Sequence, residues 1–245
     1  MKISVVTVSY NCEESIARTI ESVLAQDFTE TEYRIIDGGS TDRTVSVAES
    51  YASKMAEKGI EFHILSEPDK GIYDGMNKGA RLSTGDVIGY LNCGDTYEPG
   101  ALKAVADAFE KSGCDISLGS LKIVKTNGTS FIKKCRVRKF QTSRDWNHPA
   151  MFVKTQLMKD NPFKCLGIHD DYGFYLAMVK QGRKIHVTDS VLADFYMGGV
   201  SNKKCFKAAK KRISDRYKYC YRINGYSRLY IFECLFMEAA KFIAG

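Results

Sequence analysis

Short β-prone apolar runs alternate with segments of helical periodicity over residues 3–111, and this rhythm limits the fold more than any other feature of the chain. Ile3–Ser9 is the first run, and Asn11 is placed to cap a helix in which Ile16, Ile20, Val23 and Leu24 recur at helical spacing. Residues 33–37 form a second strand, after which Ser40 or Thr41 can cap a helix reaching about Lys58. Residues 60–65 and 86–91 are strands three and four, a helix over Ile72–Leu82 lies between them, and residues 98–111 form a further helix. Such alternation implies βαβ units: an α/β, Rossmann-like, mostly parallel sheet flanked by helices. With 245 residues the chain can bury one sizeable core with an appended tail.

Beyond Cys114 the pattern changes. Two β-prone runs flank Asn127-Gly128, a hairpin signal. A helix is expected over residues 170–181, ended by Gly182, then two strands within 185–195 and helix from Lys203 onward. The organisation expected is a domain over residues 1–200 and a basic amphipathic tail over 201–245. That tail carries eleven Lys and Arg against three acids, whereas the preceding residues are nearly neutral. Such asymmetry speaks of partners rather than fold.

No window of about 18 apolar residues occurs, so no membrane-spanning helix is expected. MKISVVTVSY is too short and polar for a secretory leader and fits a buried strand, which implies a cytoplasmic protein. The eight cysteines form no C-x-x-C pair, so most are expected to be small buried hydrophobes, without a zinc site.

Ligands of doubly wound sheets bind outside the carboxyl ends of the strands. Three polar clusters fall there: residues 9–11, 37–42 and 92–95. Carboxylates crowded at one edge repel unless a cation or ligand uses them, and a diphosphate carrying Mg²⁺ or Mn²⁺ answers that need. Neither a P-loop nor a G-x-G-x-x-G run follows the first strand.

The segments ISVVTVSYN, SVLAQDF, IIDGGSTDRT, SEPDKGIYDGMNKGA, STGDVIGYLNCGD and HPAMFV, in this order, resemble family 2 glycosyltransferases with the GT-A fold. Within that family the chain is similar to the branch acting in cell-surface polysaccharide assembly, and the match covers roughly residues 1–200. The resemblance implies an inverting transfer from a nucleotide-sugar, UDP first and GDP next, with Mn²⁺ or Mg²⁺. It implies that Thr7, Ser9 and Tyr10 line the nucleotide pocket, that Asp37 holds base or ribose, and that Asp69 and Lys70 shape the donor site, faced by Asn77. Lys78 or Arg81 would meet phosphate or form a solvated helix face.

Asn92-Cys93-Gly94-Asp95 stands at the family's metal motif, with Asp95 as its remaining carboxylate and metal ligand; where the family often has Asp-Asp, this chain has Asp37-Gly38. Asp171 takes the position of the base, with Asp170 as second candidate or helix cap, and His148 would lie near diphosphate, metal or acceptor. Trp146 is core packing or a sugar platform; the GGVS run at 198–201 is a lid or a plain turn. His63, His169 and His186 receive no role.

The expected acceptor is a lipid-linked oligosaccharide. The tail would touch an anionic membrane surface at the inner face of the plasma membrane, or pack on the domain or a second subunit. Nucleic acid is not expected as a partner. Two other classes stay open: a non-catalytic nucleotide-sugar-binding or scaffold subunit, and a sugar nucleotidyltransferase, although SYNCEES lacks that class's Gly-rich phosphate loop.

Overall fold

The computed structural model describes residues 1–198 and 206–243. Residues 199–201 of the GGVS run, residues 203–205 of the expected helix, and with them Cys205, lie outside the described residues.

Strands β1 (Ile3–Ser9), β2 (Thr31–Asp37), β3 (Glu61–Ser66) and β4 (Val87–Tyr90) run parallel in the order β3-β2-β1-β4. The sheet continues through β8 (Met151–Lys154), β6 (Ile116–Val124), β9 (Ile185–Tyr196) and β5 (Thr96–Tyr97). β8 and β5 are antiparallel to their neighbours, whereas β6 and β9 pair in parallel. β7 (Ser130–Lys133) hangs from β6 as the expected hairpin, with Asn127 Oδ1 accepting from Thr129 N at 3.1 Å in the turn. The architecture is thus the α/β, mostly parallel sheet that the alternation implied.

Every residue of β1 is buried, as in a strand covered on both faces. Ile3 and Val5 join the core beneath α1 (Ile16–Leu24) and α5 (Ala101–Ser112); Val6 and Val8 join the one beneath α4 (Ile72–Leu82) and α7 (Asp170–Lys180). Close approach fixes α4 on the sheet. A Cβ added at Gly79 would lie 2.4 Å from Val6 Cγ1, so only glycine lets the helix sit this deep.

Several boundaries differ from the expectations for physical reasons. Asn11 is no helix cap: it sits at φ 45° and its Oδ1 accepts from Thr41 N at 2.9 Å, tying the first loop to the second. Ser40 and Thr41 do not cap the next helix either, since Asp42 Oδ1 accepts from Thr44 N at 2.9 Å. That helix is two short ones, α2 (Thr44–Glu49) and α3 (Ala52–Glu57). The two strands expected within 185–195 are one strand, β9, whose register against β6 shifts between Leu118 and Leu121. A short α6 (Thr155–Asp160) was not foreseen.

The basic C-terminal segment is helical: α8 (Phe206–Asp215), a π-helical stretch Arg216–Arg222, and α9 (Tyr230–Ile243). It shares a core with α7. Tyr221, Tyr226, Tyr230, Cys220 and Cys234 belong to the same buried cluster as Tyr172 and Tyr175, and the hydroxyls of Tyr172 and Tyr221 lie 3.0 Å apart.

Candidate active site

Parallel pairing carries Ser9, Asp37 and Ser66 to one edge, in register at the carboxyl ends of β1, β2 and β3. There Asp37 is fully buried. Its Oδ1 accepts from Ser9 Oγ at 3.0 Å and Ser40 Oγ at 2.5 Å; its Oδ2 accepts from Gly39 N at 3.1 Å, Ser40 N at 2.8 Å and Ser66 Oγ at 2.7 Å. Burial alone would raise its pKa, but the Ser40, Ser66 and Ser9 bonds outweigh that and hold the carboxyl below its ordinary range. With five donors and no exposed surface, Asp37 moulds the loop 38–42 and offers no face for base or ribose in this structure.

Thr7 is likewise fully buried, its hydroxyl 3.0 Å from Tyr33 Oη, so it lies within the sheet core and not at the surface of this edge. Ser9 is committed to Asp37, whereas Tyr10 stands 64% exposed at the rim. Asp69 closes over this loop. A Cβ at Gly38 would lie 2.8 Å from Asp69 Oδ2, and one at Gly75 3.2 Å from the same atom, so the Asp69 carboxylate fills the space that a side chain at position 38 would take. Asp69 Oδ1 accepts from Gly71 N at 2.8 Å, and exposed Lys70 donates its backbone N–H to Asp74 Oδ2 at 3.0 Å.

Asn77 does not face the pocket. Its amide clamps the Phe163 backbone through Nδ2 to the carbonyl and Oδ1 from N–H, both at 2.9 Å. Lys78 is held by Glu67 at 2.9 Å and Pro68 O at 2.8 Å, while Arg81 is exposed.

The loop after β4 contrasts with this order. Asp95 is buried, and desolvation pushes its carboxyl up to about 7 although Tyr196 N–H and Arg18 favour the charged form. Arg18, which the sequence reading passed over, donates to Gly94 O at 2.6 Å and lies 3.8 Å from the centroid of the Tyr196 ring. Asn92 Oδ1 and Asp194 Oδ1 are buried without a hydrogen-bond partner among the described residues. One carboxylate and an unmet amide oxygen are hard donors of the kind that hold Mg²⁺ or Mn²⁺ together with phosphate oxygens, so the residues present fit such an ion.

A second group able to converge on a cation, Glu32, Glu61 and His63, lies toward the amino ends of β2 and β3, where Glu32 is already held by Arg34 and Glu61 by Lys2. A cleft lined by Ser83, Asp86, Lys154 and Lys159 also lies at the amino-terminal end of β4, away from this edge.

The third part is built by α4, α7 and the short 3-10 helix His148–Ala150. Asp171 stands in the first turn of α7, where the helix dipole favours its charge. Its Oδ1 accepts from Tyr73 Oη at 2.9 Å and Tyr172 N at 2.8 Å, and its Oδ2 lies 3.4 Å from His148 Nδ1. His148 is buried, so desolvation lowers its pKa against the pull of Asp171, and neither ring nitrogen has a hydrogen-bond partner among the described residues. Asp170 points elsewhere: its oxygens accept from Leu166 N at 2.8 Å and Gly167 N at 3.0 Å, which makes it a clamp on the preceding loop and not a second base. Trp146 packs against Tyr172 and Tyr175 in the core. Tyr73 reaches Asp171 across 98 residues of sequence, a contact that leaves no local signal.

Cysteine usage is more divided than expected. Cys114, Cys135, Cys220 and Cys234 are buried hydrophobes, but Cys165 is exposed, and half-buried Cys93 donates its thiol to Cys12 O at 3.9 Å between the first and fourth loops.

These features define a GT-A architecture, and solved structures share it. The chain aligns over its whole length with S. aureus TarS 1-349 in complex with UDP, at 21% identity and a TM-score of 0.66, covering 72% of that chain. It aligns over 99% with the mannosyltransferase PcManGT from Pyrobaculum calidifontis in complex with GDP-Man and Mn²⁺, at 14% identity and a TM-score of 0.66, covering 74% of that chain. The family model described as glycosyl transferase family 2 matches residues 4–172, and the chain belongs to that family. It is 35% identical over 125 residues to chondroitin synthase of Escherichia coli, across 51% of this chain and 17% of that protein. It is 32% identical over 127 residues to a PGL/p-HBAD biosynthesis glycosyltransferase of Mycobacterium bovis, across 51% of this chain and 48% of the relative. The chain therefore spans at most about half the length of these two relatives.

Proposed function

We propose that the protein is an inverting glycosyltransferase that moves a sugar from a nucleoside-diphosphate sugar to the hydroxyl of a lipid-linked glycan in polysaccharide assembly. The observation that carries this reading is the environment of Asp171. One carboxylate oxygen is fixed by Tyr73 and Tyr172, and the other faces a buried, neutral-leaning His148. A carboxylate so anchored can take the proton from an acceptor hydroxyl as its oxygen attacks the anomeric carbon from the face opposite the leaving diphosphate. Asp171 thus serves as base, Tyr73 orients it, and buried His148 backs the second carboxylate oxygen from the core side and keeps water from it.

Asp95 and Asn92 would hold Mn²⁺ or Mg²⁺, which when bound neutralises charge on the departing diphosphate. Tyr10, Asp69 and Lys70 form the remaining rim of the donor site. UDP is the preferred nucleotide, with GDP next: the two neighbouring structures carry UDP and GDP-Man. The net charge of +7, concentrated in the C-terminal segment, supports an acceptor presented at an anionic membrane, at its cytoplasmic face.

A donor screen by thermal shift tests the reading, because only a ligand of the folded state raises the midpoint. A rise with UDP- or GDP-sugars that needs Mn²⁺ or Mg²⁺ is the expected result. No shift with any nucleotide or nucleotide-sugar would end it.

A further inference from the structure

The surface holds a feature that neither the core nor the donor site uses. α9 buries one face, with Tyr230, Glu233, Cys234 and Glu238 turned inward. Phe232, Leu235 and Phe236 lie on the other face, with Leu229 three residues before Phe232 in the turn that leads into the helix, and these four are 65%, 46%, 58% and 67% exposed. Large apolar side chains repeated at helical spacing and left in water mark an interaction surface rather than scattered exposure.

A second segment, far away in sequence, lies beside the start of this helix. Residues 134–140 read KCRVRKF: four cations and no acid. Lys134, Arg136, Arg138 and Lys139 are exposed, and so are the apolar Val137 and Phe140. The Phe140 ring stacks on Tyr230 of α9 with centroids 4.7 Å apart and planes 5° from parallel, and Gln141 N donates to Tyr230 Oη at 3.2 Å. Thr142 Oγ1 then donates to Glu233 Oε1 at 3.0 Å, so the chain leaving the basic segment runs along the first turns of α9. Arg138 is paired with Asp145 at 2.9 Å, which fixes the segment without removing its net positive charge. The tail adds exposed Lys218, Arg222 and Arg228 just before the apolar face.

We propose that residues 134–140 and the outward face of α9 form one composite surface that docks on an anionic lipid bilayer. The aromatic and aliphatic side chains enter the interface, and the flanking cations meet lipid phosphates. The proposal deepens the membrane-presented acceptor of the proposed function and rests on it for its purpose, though not for its measurement. Charge decides the occupant. An apolar face meant for a second copy of the chain would bring these cations against their own equivalents, whereas an acidic headgroup layer meets apolar and cationic groups together. No helix among the described residues is long and apolar enough to cross a membrane, so attachment through this surface is peripheral.

Sedimentation of the full chain with phosphatidylglycerol-containing vesicles, compared with pure phosphatidylcholine, tests the proposal; vesicle binding is read without donor, so it stands apart from the transfer reaction. The intact chain should prefer the anionic vesicles and lose that preference as added salt shortens the screening length. Replacing Lys134, Arg136 and Lys139 together by Gln should weaken binding roughly a hundredfold. The double change Phe232→Ser and Phe236→Ser should weaken it at least about tenfold. Both variants alter exposed side chains, and an unchanged melting midpoint verifies that they fold. Equal binding by the intact chain and both folded variants would overturn the proposal, as would no binding to anionic vesicles. A dimer of the intact chain that the Phe232/Phe236 variant dissolves would overturn it too, and would assign the face to a second copy.

Discussion

The loop after β2 and the loop after β4 sit at the same edge of one sheet, each with a buried aspartate, and they treat that charge in opposite ways. Asp37 receives five hydrogen bonds from its own chain and is held ionised. Asp95 receives the backbone N–H of Tyr196 at 3.2 Å, lies near Asp194, and is pushed toward protonation. A saturated buried carboxylate is scaffold, whereas an under-served one among unmet oxygens keeps bonding capacity that the fold has not consumed. The start of α7 repeats the contrast within two adjacent residues, since Asp170 clamps a loop while Asp171 keeps one oxygen toward an unpartnered histidine.

The sharpest test falls on Asp171. Asp171→Asn keeps the shape and the Tyr73 contact but cannot accept a proton, so kcat should fall about 10²- to 10⁴-fold with donor affinity nearly unchanged. Turnover of the best donor in the thermal screen measures it. Retained turnover would move the base elsewhere and dissolve the distinction between Asp170 and Asp171.

Next comes the pair that defines the comparison. Asp37→Asn presents an amide to five donors, and the loss should be roughly 3–4 kcal/mol, seen as a midpoint lowered by roughly 10 °C. Asp95→Asn removes a carboxyl that burial already penalises, so stability near neutral pH should change by less than about 1 kcal/mol. In that variant, however, the Mn²⁺-dependent part of nucleotide stabilisation should vanish. Calorimetry with and without Mn²⁺ and UDP separates the two, and equal destabilisation would erase the difference between the loops.

Glu32 extends the saturated class to the other end of the sheet. Desolvation would raise its pKa, yet the Ser4 hydroxyl, Thr84 N–H and Arg34 lower it to about 2. A folded-state pKa below the unfolded value gives stability that is complete above about pH 5 and is lost as pH falls toward 2. The contribution is at most about 3 kcal/mol, and Glu32→Gln should flatten that limb of the stability–pH curve. An unchanged acid limb would show that Ser4, Thr84 and Arg34 do not hold the charge as the hydrogen bonds imply.

What was legible in the sequence follows the same division. The parallel strands, the α4 helix over Ile72–Leu82 and the Asn127-Gly128 hairpin are written in local pattern, because apolar period and turn chemistry act over a few residues. Motif order also singled out Asp95, Asp171 and His148, which the fold sets in the loop after β4 and around the start of α7. Motifs alone could not tell which polar residues are consumed by the fold. Asn77 is spent on Phe163, 86 residues away, and Ser66 on Asp37, 29 residues away. Arg18 and Tyr73 gained their roles only through tertiary contact, and the composite apolar and basic surface joins segments some 90 residues apart, as the 91-residue separation of Thr142 and Glu233 shows.

The smallest expected effect asks whether Tyr73 belongs to the catalytic cluster or to the core. Its hydroxyl reaches Asp171 from α4, and burial together with the neighbouring Asp171 charge keeps that hydroxyl protonated, so it acts as a fixed donor. Tyr73→Phe preserves the ring packing on Phe163, where the centroids are 5.2 Å apart, and deletes only the hydrogen bond. One bond to a charged group is worth about 1.5 kcal/mol, so kcat should drop about tenfold while KM for the donor stays level. A purely structural tyrosine would lower the melting midpoint without this split between kcat and KM. The double variant Tyr73→Phe with Asp171→Asn supplies the decisive arm: if Tyr73 acts by holding the Asp171 carboxylate, its tenfold effect should disappear once that carboxylate is gone, because the two residues act as one unit.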